Sequence, residues 1–262
     1  MAGNKEGIGA TEPEGDQGLL PVAVENKRLQ PHPHEIFAEP TIIVKVGLEA
    51  EGKEKVFHVH KALLTHYSDF FRGAVGSGTF KEGAAGEVDL KDVGYGTFAV
   101  FLEWLYKQSL PSVEEWLDIY GAQEIDCMLL AGLYVFADRY NIPDLKTRAL
   151  AIAFEYYAQD NPPSYDAVTY AFHNLPTSSP YLRLLVDAHC VHWDPEVDDS
   201  GDEEDFESLP HVFLKMVVTK YSRISRNSRS KIALGKCDYL EEPATGVEDG
   251  GSPRKKKIKT FH

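Results

Sequence analysis

Apolar and polar positions alternate along three short stretches of the first hundred residues, and each alternation predicts a β-strand. Residues 42–46 form a β-branched run, Ile-Ile-Val-Lys-Val, which is typical of a strand. After a turn that contains glycine, residues 55–59 lead the chain back, and this order predicts a hairpin. Residues 87–90 alternate in the same way. The pattern therefore predicts a small sheet near the start of the chain.

Helical spacing dominates the rest of the chain. Two short helices are predicted over residues 61–67 and 68–75, with Ser68 as the N-cap of the second. In three later segments apolar residues recur at intervals of three and four, which predicts buried helix faces. These faces consist of Tyr95, Phe98, Leu102 and Leu105, then Leu130, Leu133, Tyr134, Ala137 and Tyr140, and then Leu145, Ala149, Ile152 and Tyr156. Further helices are predicted over residues 165–174, 180–192 and 209–221.

Composition divides the 262 residues into four parts. Residues 1–36 are rich in Gly, Pro and charge, so they are expected to form a disordered arm. A folded domain is expected over residues 37–158, and a C-terminal helical region over 159–222. Residues 223–262 are expected to be a basic, largely disordered tail.

The net charge of −14 is concentrated in one segment. Residues 194–207 carry nine acidic side chains and no basic one, so without them the net charge would be −5. Like charges repel, and this segment is therefore expected to be a solvated loop that interrupts the helical region.

Two motifs in the first half of the chain occur together. Residues 57–61 read Phe-His-Val-His-Lys at the end of the predicted hairpin, and residues 98–106 read Phe-Ala-Val-Phe-Leu-Glu-Trp-Leu-Tyr within a predicted helix. Together they resemble the BTB/POZ domain, a family of dimerising protein-interaction modules, over residues 38–158. Residues 133–146 look like the helical close of BTB proteins from filamentous fungi. The resemblance implies an α+β fold, a small sheet flanked by helices, followed by a C-terminal helical region and disordered tails.

The resemblance also implies a homodimer. Between residues 41 and 75 the chain has more apolar side chains than one small sheet can cover. The predicted dimer residues are Ile42, Val44, Leu63, Leu64, Phe70 and Phe71. Many family members have a charged pocket beside the dimer seam, made by an Asp before the first strand and a cation after the helix-opening His. Here Thr41 stands at the position of the Asp and Lys61 keeps the cation. Either Lys61 is exposed or another acid pairs with it, because a buried unpaired ammonium would be costly.

His60 lies directly before the predicted helix of residues 61–67. Its ring is expected to bond the exposed backbone groups of that helix end and to act as a packing residue.

The sequence Phe80-Lys81-Glu82 matches a loop signature with which some BTB proteins bind cullin ubiquitin-ligase scaffolds. In that interpretation Phe80 inserts into a groove of the cullin and Glu82 fixes the orientation. In the alternative interpretation Phe80 packs into the core of its own domain. The first predicts a substrate-recruiting adaptor of a cullin ubiquitin ligase.

Five of the six residues from 254 to 259 are basic, namely Arg254, Lys255, Lys256, Lys257 and Lys259. This run is typical of a nuclear localisation signal recognised by an import receptor. A phosphate-binding tail and a plain solvated charge run are the alternatives. No DNA-binding motif accompanies the basic residues, so sequence-specific nucleic-acid binding is not expected. The nucleus is the expected location, with the cytoplasm as the alternative.

His189, Cys190 and His192 form the one cluster of residue types that commonly bind zinc, and His211 and Cys237 would complete such a site. Paired Cys-x-x-Cys spacing is missing, and Cys190 is more simply interpreted as a small buried apolar residue. The three cysteines are too few and too scattered for a disulfide framework, which favours a reducing compartment. No catalytic signature appears. We therefore expect no enzyme, cofactor or metal site, and no apolar run approaches the roughly 20 residues that cross a membrane.

Overall fold

The computed structural model describes residues 31–47, 54–76, 86–111, 115–116, 127–159, 161–194, 206–226 and 234–240. Short strands and helices alternate in its first half, and helices follow. The strands are β1 (Thr41–Val46), β2 (Lys55–His60) and β3 (Glu87–Leu90). The helices are α1 (Pro33–Ala38), α2 (Lys61–Tyr67), α3 (Asp69–Gly76), α4 (Tyr95–Lys107), α5 (Cys127–Arg139), α6 (Pro143–Tyr157), α7 (Tyr165–Asn174), α8 (Pro180–His192) and α9 (His211–Arg226), and a 3-10 turn spans Lys236–Asp238. The predicted α+β architecture is confirmed.

The described strands form one sheet in the order β2-β1-β3. Strand β1 runs antiparallel to β2, with Thr41 opposite His60 and Val46 opposite Lys55. It runs parallel to β3, with Ile43 opposite Glu87. Because successive side chains of a strand point to opposite faces, every second residue of β1 is buried and the others face outward. One face of the sheet therefore packs on the helices, as the alternating pattern predicted.

Ser68 joins α3 to the end of α5. Its hydroxyl accepts a hydrogen bond from the backbone N–H of Phe71 at 3.1 Å, which confirms the predicted N-cap. The same hydroxyl donates to the carbonyl of Tyr140 at 2.6 Å. Ser68 is buried, and both hydrogen-bonding functions of its hydroxyl are satisfied.

The predicted faces of the longer helices are partly correct. All five residues predicted to be buried in and just after α5 are buried. In α4, however, Tyr95 is exposed and Leu102 is half-buried, whereas Phe101 and Trp104 are fully buried. In α6 the core side includes Phe154 rather than Tyr156. These helices pack on more than one neighbour, so the buried stripe is wider and rotated relative to the one that spacing alone indicated.

Two stretches assigned to the disordered ends contain structure. Helix α1 begins inside the predicted N-terminal arm, with Pro33 at its first turn and Ile36 buried. Its start is supported by the carboxylate of Glu35, which accepts a hydrogen bond from the N–H of His32 at 2.9 Å. Residues 234–240, from the predicted tail, pack on the C-terminal helices, with Tyr239 buried. Structured residues therefore extend into both predicted ends, where short buried anchors outweigh the polar composition around them.

Arg139, at the end of α5, links the sheet domain to the C-terminal helices. Its guanidinium binds the carboxylate of Asp92 and donates to the side-chain oxygen of Asn174 at 2.7 Å. Asp92 precedes α4 and Asn174 ends α7. Within the described residues, no helix has both the length and the apolar character that crossing a membrane requires.

Candidate interaction surface

Three aromatic rings meet on the outside of the molecule, at the end of β2. Phe37 of α1 and Tyr106 of α4 are 71% and 44% exposed. The ring of His60, between them, lies 5.3 Å from that of Phe37 and 5.9 Å from that of Tyr106, centroid to centroid. We call Phe37, His60 and Tyr106 the aromatic patch. Large exposed rings in contact with one another are unusual on a surface without a partner.

Local structure explains why these side chains point outward. In α1, Ile36 is buried and anchors the helix, and the next residue, Phe37, is rotated by about 100° around the helix axis to the solvent side. In β2, Val59 is buried, and the residues on either side of it therefore face outward. Val56, which is 54% exposed, and His58 share this outward face with His60.

A hydroxyl group holds the patch together. The backbone N–H of His60 donates to Oη of Tyr106 at 3.3 Å, and Nδ1 of the same histidine lies 2.9 Å from that oxygen. The hydroxyl therefore contacts both the backbone and the ring of His60, and the tautomer of the ring sets which of the two atoms donates in the second contact. The ring of His60 was predicted to bond the backbone of α2. That prediction is wrong, since no such cap hydrogen bond is formed by its side chain.

The two residues at the positions of the predicted charged pocket differ in exposure. Thr41 is exposed, and Lys61 is only half-buried. The backbone N–H of Lys61 donates to the carbonyl of Pro40 at 3.1 Å, which fixes the start of α2 beside β1. The charged pocket at Thr41 and Lys61 stays a prediction.

The six predicted dimer residues do not share one environment. Ile42, Val44, Leu63, Leu64 and Phe71 are buried in the core of the single chain and leave no surface for a partner. Phe70 is 45% exposed, and its ring packs on that of Tyr140 at 5.0 Å. Of the six predicted residues, Phe70 is the one with a large exposed fraction. Self-association itself stays a prediction.

Two other predicted sites lie outside the described residues. They are the cullin signature, with Phe80 and Glu82, and the basic run of residues 254–259. Both stay predictions that rest on the sequence.

The histidine and cysteine cluster of α8 forms part of the core. The ring of His189 stacks on that of Trp193 at 5.4 Å and meets that of Phe213 at 5.2 Å. Burial, with the nearby carboxylate of Asp187, raises the pKa of the Cys190 thiol to about 11. A thiol with such a pKa stays protonated at neutral pH and is a poor metal ligand or nucleophile. Among the described residues no group of three His, Cys, Asp or Glu side chains could hold a metal ion.

Sequence analysis missed the acid that holds the end of the described chain. Asp187 of α8 is buried; its Oδ2 accepts a hydrogen bond from the hydroxyl of Tyr239 at 2.6 Å, and its Oδ1 lies 2.8 Å from Nζ of Lys220. The guanidinium of Arg183 lies over the ring of Tyr239 at 5.4 Å. The available signal was a lone acid between the apolar residues 184–186 and 188, which suggests a buried and therefore partnered carboxylate.

Comparison with known proteins places the fold. Among curated proteins, no significant match to the chain was found. The family model of the BTB/POZ domain matches residues 37–151, which run from the end of α1 into α6. The match covers the sheet, the aromatic patch and the helices that pack behind them, and the chain therefore carries a BTB/POZ domain.

Proposed function

We propose that the chain is a self-associating protein-interaction module that scaffolds partners in the nucleus, and that it is not an enzyme. The observation that supports self-association is the aromatic patch, in which Phe37 and Tyr106 keep 71% and 44% of their surface exposed. Covering exposed rings removes apolar surface from water and stabilises a complex by roughly 25 cal/mol per Å². A second copy of the same surface offers matching chemistry, as two-fold dimers require.

Light scattering of the purified chain at roughly 50 μM tests this proposal. We expect the mass of a dimer for the wild type and the mass of a monomer for Phe37→Ser. The matched control is Val218→Ser, which removes a side chain of 67% exposure from α9, far along the chain from the patch. A monomeric wild type contradicts self-association. A dimer that survives Phe37→Ser contradicts the role of the patch.

The cullin-adaptor function is a second candidate, and it rests on Phe80 and Glu82 between α3 and β3. Truncating an aromatic anchor at the centre of an interface typically costs about 2 kcal/mol or more, which corresponds to about thirtyfold in affinity. Phe80→Ala is therefore expected to abolish co-purification of the cullin while the melting temperature stays unchanged. Normal cullin binding by the folded variant contradicts this candidate, and a large fall in melting temperature assigns Phe80 to the core.

Nuclear location is proposed from the basic run that contains Lys255 and Lys256. An import receptor recognises successive ammonium groups through complementary acidic surface. Lys255→Ala combined with Lys256→Ala is expected to move a fluorescent fusion into the cytoplasm, provided that the reporter is too large to diffuse through the nuclear pore. Lys236→Ala, in a lysine that pairs with Glu155 at 3.0 Å, is the control. Unchanged accumulation of the double variant contradicts import through this run.

A further inference from the structure

Strand β2 is an outer strand of the described sheet, and the hydrogen bonds of β1 show which of its backbone groups face outward. The N–H of Ile43 donates to the carbonyl of Gly86 at 2.9 Å, on the side of β3. The backbone groups of its neighbours, Ile42 and Val44, therefore face β2, where Val59 and Phe57 lie opposite them. Since the direction alternates along a strand, the N–H and C=O groups of residues 56, 58 and 60 point away from β1.

Tyr106 closes one end of this edge. Its Oη accepts from the N–H of His60, so that group is no longer available. For the backbone of Val56 and His58, no hydrogen-bond partner is found among the described residues. The side chains of both residues are exposed. Unpaired edge groups are a template for another strand, and proteins normally cover or block them.

We propose that two copies of the chain pair through these edges as antiparallel strands, with the two-fold axis at Phe57. In this register Val56 of one copy lies opposite His58 of the other, and each such pair exchanges both its hydrogen bonds. In this register the two residues whose backbone groups have no partner among the described residues, Val56 and His58, lie opposite each other. The pairing rests on the proposed self-association and specifies its geometry, since the joined edges lie directly beside the aromatic patch.

Charge supports a second copy as the occupant. The register places Glu54 of one copy opposite His60 of the other, so the two acidic side chains of the dimer do not face each other. Lys55 lies opposite Val59, so the two lysines of the dimer do not face each other. A strand of this sequence therefore meets its own copy without opposed like charges.

Proline substitution at the open edge tests the pairing in the full-length chain. Val56→Pro removes an N–H group that makes no hydrogen bond to any residue the structure describes, and an edge strand tolerates proline where its N–H faces solvent. We expect this variant to raise the dissociation constant of the dimer at least tenfold, with a melting temperature close to that of the wild type when both are monomeric. Val56→Thr is the control, because it keeps the N–H group and a β-branched side chain, and it should dimerise normally.

Hydrogen exchange of the wild type provides a measurement that needs no variant. The amides of Val56 and His58 should exchange rapidly in the monomer and slow at least tenfold as the concentration rises through the dissociation constant. The amide of Val59, which faces β1, should be protected at every concentration.

The outcomes separate this inference from the proposed function. A wild type that is monomeric at all concentrations overturns both. A dimer that is dissociated by Phe37→Ser but unaffected by Val56→Pro, with amides 56 and 58 exchanging equally at all concentrations, leaves self-association intact and overturns the edge pairing. If Val56→Pro does not fold, hydrogen exchange of the wild type tests the edge pairing instead. Amides 56 and 58 that exchange equally fast at all concentrations then overturn it.

Discussion

The hydroxyl of Tyr239 donates a 2.6 Å hydrogen bond to the carboxylate of Asp187, although 52 positions separate the two residues in the sequence. Both side chains are buried, and Lys220 pairs with the other carboxylate oxygen at 2.8 Å. Each oxygen of the buried carboxylate therefore has a partner, which burial of a charge requires. The contact fastens residues 234–240 to α8.

Removing this hydroxyl should loosen the attachment. Tyr239→Phe takes away a hydrogen bond to a charged group, and such a bond contributes about 1.5–3 kcal/mol to stability. For a chain of this size the melting temperature should fall by roughly 3–12 °C. Tyr221→Phe is the matched control, because the hydroxyl of Tyr221 makes only a 3.4 Å hydrogen bond, to the carbonyl of Cys190. Equal losses in the two variants would contradict the role of Asp187; thermal denaturation measures both.

Stability should decrease in alkaline solution. Burial raises the pKa of Cys190 to about 11 from its ordinary value of 9.0. It also raises the pKa of Tyr181, and that of Tyr239, which donates to Asp187. The unfolded chain loses these protons at lower pH than the folded chain does. The stability they contribute is therefore complete below pH 9 and is lost as the pH rises through the folded-state values.

Urea denaturation at pH 8 and pH 10.5 measures this loss. We expect a lower midpoint at pH 10.5, and a smaller difference between the two midpoints for Cys190→Ala, which has no thiol to ionise. A wild-type midpoint that is the same at pH 8 and pH 10.5 would show that these groups ionise as easily in the folded chain as in the unfolded chain.

Apolar periodicity was sufficient to predict the strands and most helix bounds, because it is set within each segment. The predicted dimer residues show what apolar periodicity cannot predict, namely contacts between distant segments. The run of residues 41–75 revealed an excess of apolar surface, but not that the ring of Phe71 lies against those of Phe101 in α4 and Tyr140 after α5. Similarly, nothing local to Asp187 indicates Tyr239 as its partner. The aromatic patch joins α1, β2 and α4, so it appears only when the three elements are brought together.

Truncating the two adjacent phenylalanines of α3, Phe70 and Phe71, should lower the free energy of unfolding by very different amounts. The ring of Phe71 is fully buried and stacks on that of Tyr140 at 5.4 Å, whereas Phe70 is half-exposed. Phe71→Ala creates a cavity and should lower the free energy of unfolding by about 3–5 kcal/mol. Phe70→Ala should cost about 1 kcal/mol, because much of its surface already contacts water. Chemical denaturation of the two variants measures the difference, and similar losses would contradict the assignment of Phe71 to the core.

Gly132 of α5 lies close to Thr97 of α4. A Cβ atom added to it would lie 2.6 Å from Oγ1 of Thr97, closer than real Cβ contacts allow. In the interior of a helix, replacing Gly with Ala ordinarily stabilises by about 1 kcal/mol. Here the two helices would have to separate, and overpacking of this kind costs about 1–3 kcal/mol. Gly132→Ala should therefore destabilise the chain, as urea denaturation will measure.

The same substitution should behave differently once Thr97 is shortened. Thr97→Ala removes Oγ1 and Cγ2, and the nearest remaining atom, its Cβ, lies 3.8 Å from the added carbon, which is ordinary contact. In that background Gly132→Ala should be neutral or should stabilise the chain by up to about 1 kcal/mol, because only the helix preference of alanine remains. The double-mutant cycle should therefore give a coupling of about 1–3 kcal/mol between the two positions. If Gly132→Ala stabilises the chain whether or not Thr97 is shortened, the side chain of Thr97 rotates away freely, and Gly132 is not needed for the approach of the two helices.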